Sequence, residues 1–237
     1  MANKIIIGNI KMNMKFDDIS GYIEHFKNIK NNNLVICPSY IYIPYFLNYN
    51  FHVGSQNVCI EEDGGYTGEV AAHQLHSLGV KYTIIGHSER RGKLKETDIE
   101  INKKIKSALK SHLKVILCVG ETEEEKNLLK KDIVLRRQLR NALIDVEDLN
   151  NIIIAYEPVW SVGTNKLPSI DELNKTIIYI KDLIYNMHKK NIKVIYGGSI
   201  NEKNIETLNK IKELDGFLIG SASINPTQFI QIIEKIS

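Results

Sequence analysis

Short apolar runs, each closing on a polar or glycine-bearing turn, recur along the chain at residues 5–9, 34–38, 52–56, 82–87, 114–120, 152–157, 193–198 and 216–220. There are eight of them, and stretches such as Ile152-Ile153-Ile154 show almost no apolar/polar alternation. That is the pattern of strands covered on both faces in a parallel sheet. Helical segments lie between the runs. Thr122 with Glu125, and Ser169 with Glu172, fit the reciprocal capping box. Asn201 has the character of an N-cap, and Asn225-Pro226 sets a capping residue before a proline at the first helical position. Within residues 170–190 the apolar Leu173, Ile177, Ile180 and Ile184 recur at spacings of three and four, one buried helical stripe. Eight β-α units match an α/β protein of the (β/α)8 barrel type, for which roughly 250 residues is typical. An open doubly wound sheet would bring fewer strands and a Gly-rich fingerprint after the first. Here Gly8 is followed by Asn9-Ile10-Lys11. No Pro-rich or Ser/Gly-rich linker interrupts the pattern, so residues 1–237 read as a single barrel domain.

Composition narrows the partners. An apolar share of 43% can bury a large core. The 31 basic and 28 acidic residues leave a net charge of +3, too small and too evenly spread for a nucleic-acid surface. Cys37, Cys59 and Cys118 are far apart and form no C-x-x-C pair, which suits reduced thiols in the cytoplasm. The opening Met1-Ala2-Asn3-Lys4 and the short apolar run after it lack the roughly 7–15-residue core of a signal peptide. No apolar stretch approaches the roughly 20 residues that span a bilayer. The expectation is a soluble cytoplasmic protein with neither a membrane nor a nucleic acid as partner.

In a barrel, chemistry gathers at the carboxyl ends of the strands. Those positions hold Asn9 and Lys11 after the first run, His87 and Glu89 after the fourth, and Glu157 after the sixth. Gly197-Gly198-Ser199 and Gly220-Ser221 follow the seventh and eighth, where barrels commonly cradle phosphate on backbone N–H groups. A base, a neutral donor and a cation at one mouth point to acid–base chemistry on a small phosphorylated substrate. Glu157 is the hardest of these to read as structural, because an unpaired carboxylate after a buried strand is costly. His73 and His76 stand three apart without a third ligand, so no metal site is expected, and Cys118 reads as a packing thiol.

Over essentially its whole length the sequence resembles the triosephosphate isomerase family. The resemblance rests on Gly8-Asn9-Ile10-Lys11-Met12-Asn13, Tyr66-Thr67-Gly68-Glu69, Ile85-Gly86-His87-Ser88-Glu89-Arg90-Arg91, Ala155-Tyr156-Glu157-Pro158-Val159-Trp160, Tyr196-Gly197-Gly198-Ser199 and Gly216-Phe217-Leu218-Ile219-Gly220. Six such segments in order, each at a strand end or in the loop after it, are specific. The resemblance implies cofactor-free interconversion of dihydroxyacetone phosphate and glyceraldehyde 3-phosphate through an enediolate, in glycolysis and gluconeogenesis. It implies Glu157 as the base, His87 as the electrophile, Lys11 as the cation with Asn9 beside it, and Glu89 as an acidic residue of the same site. The family is itself the standard example of a glutamate base paired with a neutral histidine, and that pairing is carried over from it.

The resemblance further implies phosphate binding by the backbone of Gly163, Ser199, Gly220 and Ser221. It implies a mobile lid made of Pro158, Val159, Trp160, Ser161, Val162, Gly163, Thr164, Asn165 and Lys166, of the water-excluding kind that this family exemplifies. Thr67 matches a residue that reaches into a neighbouring subunit's site, which implies a homodimer. Four positions depart from the family pattern: Ile10 replaces a tryptophan, Asn165 and Ser221 replace glycines, and Pro168 stands just past the lid. Asn tolerates the left-handed region next best to glycine, and Ser221 suffices as a backbone donor provided that its φ is not positive. Two other readings remain. One is a barrel retained as a binding protein, against which stand Asn9, Lys11, His87 and Glu157. The other is a different phosphate-binding barrel enzyme acting on an indole or ribulose phosphate, against which stand the lid and the His-Ser-Glu segment.

Overall fold

The computed structural model describes residues 4–29 and 31–236. Residues 1–3, read above for the absence of a signal segment, and the outer limits of the 1–237 domain lie outside those bounds. The eight apolar runs form eight strands: β1 (Ile5–Asn9), β2 (Leu34–Cys37), β3 (His52–Ser55), β4 (Tyr82–Ile85), β5 (Lys114–Val119), β6 (Ile152–Tyr156), β7 (Lys193–Tyr196) and β8 (Gly216–Ile219). Every neighbouring pair is parallel, and β1 pairs with both β2 and β8, so the sheet closes into a (β/α)8 barrel. The closing register sets Ile5 opposite Gly216.

Successive strand residues point to opposite faces, and both faces here are apolar. Ile7, Val35, Ile84, Ile116, Cys118, Ile195 and Leu218 belong to one buried cluster formed by strand residues alone. Their neighbours Ile6, Ile36, Ile85, Leu117, Ile154 and Val194 join a larger cluster with the helices. Two-sided burial is why the runs lack alternation.

The helices are α1 (Asp18–Glu24), α2 (Ile43–Phe46), α3 (Ala72–Leu78), α4 (Ser88–Lys93), α5 (Asp98–Lys110), α6 (Glu123–Asn127), α7 (Lys131–Ala142), α8 (Ile170–His188), α9 (Ile205–Asn209) and α10 (Pro226–Ile236). Leu173, Ile177, Ile180 and Ile184 of α8 are fully buried, each contributing about 1.5–3 kcal/mol relative to exposure. The Thr122–Glu125 box forms in both directions at α6. At α8, Ser169 accepts from the Glu172 N–H. Asn225 Oδ1 likewise accepts from the Gln228 N–H beneath α10.

Three expectations need correction. Seven of the runs extend one or two residues beyond their strands, because the chain peels outward there to carry the loops. Even so, the Glu157 N–H still bonds to Val119 O at 2.8 Å, one rung past β6. Asn201 does not cap a helix. Its Oδ1 accepts from the Lys203 and Asn204 N–H groups in a turn, and α9 begins only at Ile205. The α8 helix stops at His188, because Lys189 adopts a left-handed φ of 56°.

Candidate active site

The ends of β1, β4, β6, β7 and β8 converge on one cavity. Asn9, Lys11, His87, Glu157, Gly163, Ser199, Gly220 and Ser221 all line it, with Val162 of the segment 158–166 beside them. Glu89 stands behind Lys11 and outside the lining, and Thr67 lies on an exposed loop after β3. A larger cavity also touches Glu157, but its Arg91 is already committed to Gly86 O, Asp98 and Cys118 O.

Lys11 takes a positive φ of 56°, a conformation costing a non-glycine residue about 1–3 kcal/mol. Three contacts hold it there. Its N–H donates to Asn9 Oδ1 at 3.1 Å, and its carbonyl accepts from Ser39 Oγ at 3.0 Å and Gln56 Nε2 at 2.8 Å. The turn aims the ammonium at Glu89 Oε1, 2.8 Å away. Burial works against a charge on Glu89, but the hydrogen bond and charge of Lys11 outweigh it and hold the carboxyl below its ordinary value.

His87 is buried and immediately precedes α4. Its Nδ1 accepts from the Glu89 N–H at 3.2 Å, so in this arrangement that nitrogen carries no proton. The proton of the neutral ring therefore sits on Nε2, which lies 3.2 Å from Glu157 Oε1. The other carboxylate oxygen, Glu157 Oε2, accepts from the Ser88 N–H at 3.2 Å. A carboxylate exposed only 2% thus has a donor on each oxygen. Its backbone is boxed in as well, since a Cβ added to Gly120 would sit 1.9 Å from the Glu157 carbonyl oxygen.

The segment 158–166 is anchored at several points that the sequence did not reveal. Trp160 Nε1 donates to Glu121 Oε1 at 2.8 Å, and the Lys126 ammonium lies 3.3 Å from the centre of the indole ring. Glu121 is fully buried and also accepts from the Tyr156 hydroxyl at 3.2 Å. Burial raises its carboxyl above the ordinary value, with the Trp160 and Tyr156 hydrogen bonds opposing the rise. Lys166 pairs with Glu123 at 3.0 Å. Gly163 and Asn165 have φ of 70° and 61°, so Asn165 occupies the left-handed region expected of it. Ser221 does not take a positive φ and opens a short 3₁₀ turn, leaving its backbone usable as a donor. Pro168 is buried.

A closed parallel barrel with a carboxylate, an Nε2-protonated imidazole and an ammonium around one mouth defines a (β/α)8 enzyme built for proton transfer. A sequence model of triosephosphate isomerase matches residues 4–236. The triosephosphate isomerase of Buchnera aphidicola (subsp. Baizongia pistaciae) is 40% identical, over 99% of this chain and all of the relative. That of Clostridium botulinum (strain Langeland) is 37% identical over 98% of this chain and 99% of the relative. That of Thermodesulfovibrio yellowstonii is 34% identical over 99% and 100%. The chain belongs to the triosephosphate isomerase family, and its barrel is the TIM barrel. It is an isomerase that interconverts dihydroxyacetone phosphate and glyceraldehyde 3-phosphate, a step of glycolysis.

Proposed function

We propose that Glu157, His87 and Lys11 carry out this isomerisation. Glu157 removes a proton from the carbon beside the substrate carbonyl, and the electron pair moves onto the carbonyl oxygen to give an enediolate. His87 donates a hydrogen bond from Nε2 to that oxygen. A neutral imidazole matches the proton affinity of an enediolate oxygen better than an imidazolium would. Lys11 offsets the developing negative charge, with Asn9 and Glu89 as positioning residues that aim it. His87 then gives its Nε2 proton to that oxygen and takes the proton of the neighbouring hydroxyl, so the negative charge passes to the second oxygen, and Glu157 returns the carbon proton to the adjacent carbon. One proton moves between the carbons by way of Glu157 and one between the oxygens by way of His87, so the reaction balances without a cofactor or metal. The observation that carries this reading is the Nδ1 contact of His87, which leaves Nε2–H facing the mouth.

The substrate phosphate sits against the backbone N–H groups of Gly163, Ser199, Gly220 and Ser221, under the lid formed by residues 158–166. The test is isomerisation of glyceraldehyde 3-phosphate in a coupled assay, with Glu157→Gln made alongside. Fast turnover in the parent and a loss of several orders of magnitude in a folded variant are expected. A variant within tenfold of the parent would remove Glu157 from the role of base.

The functional unit in this reading is a cytoplasmic homodimer, with residues 1–237 forming one barrel domain per subunit. Met12, next to Lys11, is 93% exposed, Phe16 61% and Tyr66 49%. Apolar groups this open around the β1 and β3 loops suit cover by a second copy, which would carry Thr67 to the neighbouring mouth. Sedimentation showing only monomers at micromolar concentration would overturn the dimer. For the cytoplasm, the support is three buried free cysteines and, among the described residues, no helix long and apolar enough to cross a membrane.

A further inference from the structure

A second hydrogen-bond circuit lies in the lid, apart from the groups that move the proton. Ser161 is fully buried. Its hydroxyl donates to the Lys166 carbonyl at 2.6 Å, which uses its only proton. Its lone pairs face the Tyr196 hydroxyl at 3.0 Å and the Ser199 backbone N–H at 3.3 Å. Tyr196 is therefore the donor in its contact with Ser161. Burial is the main cause that pushes the tyrosine up to about 12, so its proton stays in place at neutral pH. The chain is shaped for this meeting. A Cβ at position 198 would fall 2.1 Å from the Tyr196 hydroxyl and 2.8 Å from Ser161 Oγ, so only glycine lets the ring fold back to the lid.

We propose that Ser161 is a positioning residue whose hydroxyl stands in for substrate phosphate, occupying the Ser199 N–H until a ligand displaces it. The proposal rests on the assignment of that N–H to the phosphate site. A phosphate oxygen is charged and makes the shorter, stronger bond, whereas the Ser161 contact is neutral and long. Phosphate therefore wins, and its arrival cuts one of the two ties from Ser161 to groups outside the lid. Ser161 links lid position to phosphate occupancy, and it lowers the affinity for phosphate by the strength of the contact that must be broken.

Removing the hydroxyl should consequently strengthen phosphate binding. A residue that merely braced the lid would do the reverse or nothing. The experiment titrates the full-length protein with inorganic phosphate, following the Ser199 amide by NMR and the inhibition of isomerisation in parallel. In the parent, the Ser199 amide resonance moves with phosphate. In Ser161→Ala the midpoint falls roughly two- to tenfold, the span of one neutral hydrogen bond, and KM for glyceraldehyde 3-phosphate falls with it. An unchanged or higher midpoint in a folded variant overturns the displacement while leaving the phosphate assignment standing. A Ser199 amide that ignores phosphate in both proteins overturns the assignment itself. Tyr196→Phe supplies a second reading. It leaves the Ser199 N–H as the sole donor to Ser161 Oγ, so the midpoint should rise, and a fall would refute the circuit.

Discussion

Gly120→Ala tests how tightly the barrel must hold Glu157, the proposed base. Gly120 follows β5 beside the end of β6, and an added Cβ would lie 1.9 Å from the Glu157 carbonyl oxygen and 3.2 Å from Pro158 N. Real Cβ contacts essentially never fall below 3.0 Å, so the Glu157 backbone must retreat by more than 1 Å. Gly120 cannot yield instead, because Gln138 grips its peptide from both ends: Oε1 accepts from its N–H at 2.8 Å and Nε2 donates to its carbonyl at 3.1 Å. Overpacking of this kind costs about 1–3 kcal/mol of stability, which leaves an ordinary domain folded at 25 °C. The carboxylate moves with its backbone, and a displacement of about 1 Å at a reacting group can cost on the order of 10²-fold. The loss should fall mainly on kcat, since Ser199, Gly220 and Ser221, three of the four groups assigned to the phosphate, follow β7 and β8. Steady-state kinetics with glyceraldehyde 3-phosphate, alongside urea denaturation, separates the two effects. A folded variant whose kcat stays within about threefold of the parent would refute the claim that the β5–β6 contact fixes the base.

Glu89→Gln should alter stability in a pH-dependent way. Glu89 is held below its ordinary carboxylate value, so the stability it adds is complete above about pH 4.5 and disappears as the pH falls through its lowered folded value. Parent and variant melting temperatures should therefore differ at pH 7 and converge in acid, and a difference that grows in acid would contradict the Lys11–Glu89 pair as its source. Glu121→Ala leaves the Trp160 indole N–H and the Tyr156 hydroxyl without their buried acceptor, each worth about 1–3 kcal/mol. Urea denaturation should show a loss of that size, together with a shift in Trp160 emission, and an unchanged emission maximum would detach Glu121 from the lid. Trp160 is the only tryptophan, so intrinsic fluorescence should report lid movement when inorganic phosphate binds; a spectrum indifferent to saturating phosphate would argue against a moving lid.

Strands and candidate residues were legible because burial leaves a one-dimensional trace. A run apolar on both faces that ends abruptly in Asn, His or Glu marks both the strand and the tip that reaches the cavity. What stayed hidden depends on partners distant in sequence. Gln56 and Ser39 hold Lys11 in its positive φ across 45 and 28 residues, and no local pattern marks either as a brace. Lys126 reads as one more surface lysine until it is seen over Trp160. Asn201 misled because a capping residue and a turn residue use the same side-chain chemistry.

Glu121 and Glu157 expose the limit of the strand-end signal most clearly. Each follows a buried apolar strand, each is almost wholly buried, and each has hydrogen-bond donors facing its carboxylate. The partners separate them. Glu121 is met by a phenol and an indole, side chains packed around it outside the cavity at the mouth, so its carboxylate anchors the start of segment 158–166. Glu157 is met by the Ser88 backbone N–H and by His87 Nε2, and it lies in that cavity with His87. Those bonds are ones a substrate can replace, since the imidazole can turn its hydrogen bond to a carbonyl oxygen while the carboxylate gives up Ser88 for a C–H proton. On the proposed assignment, a buried carboxylate at a strand end serves as a base when its partners are exchangeable and open to the cavity, and as a brace when they are packed away from it.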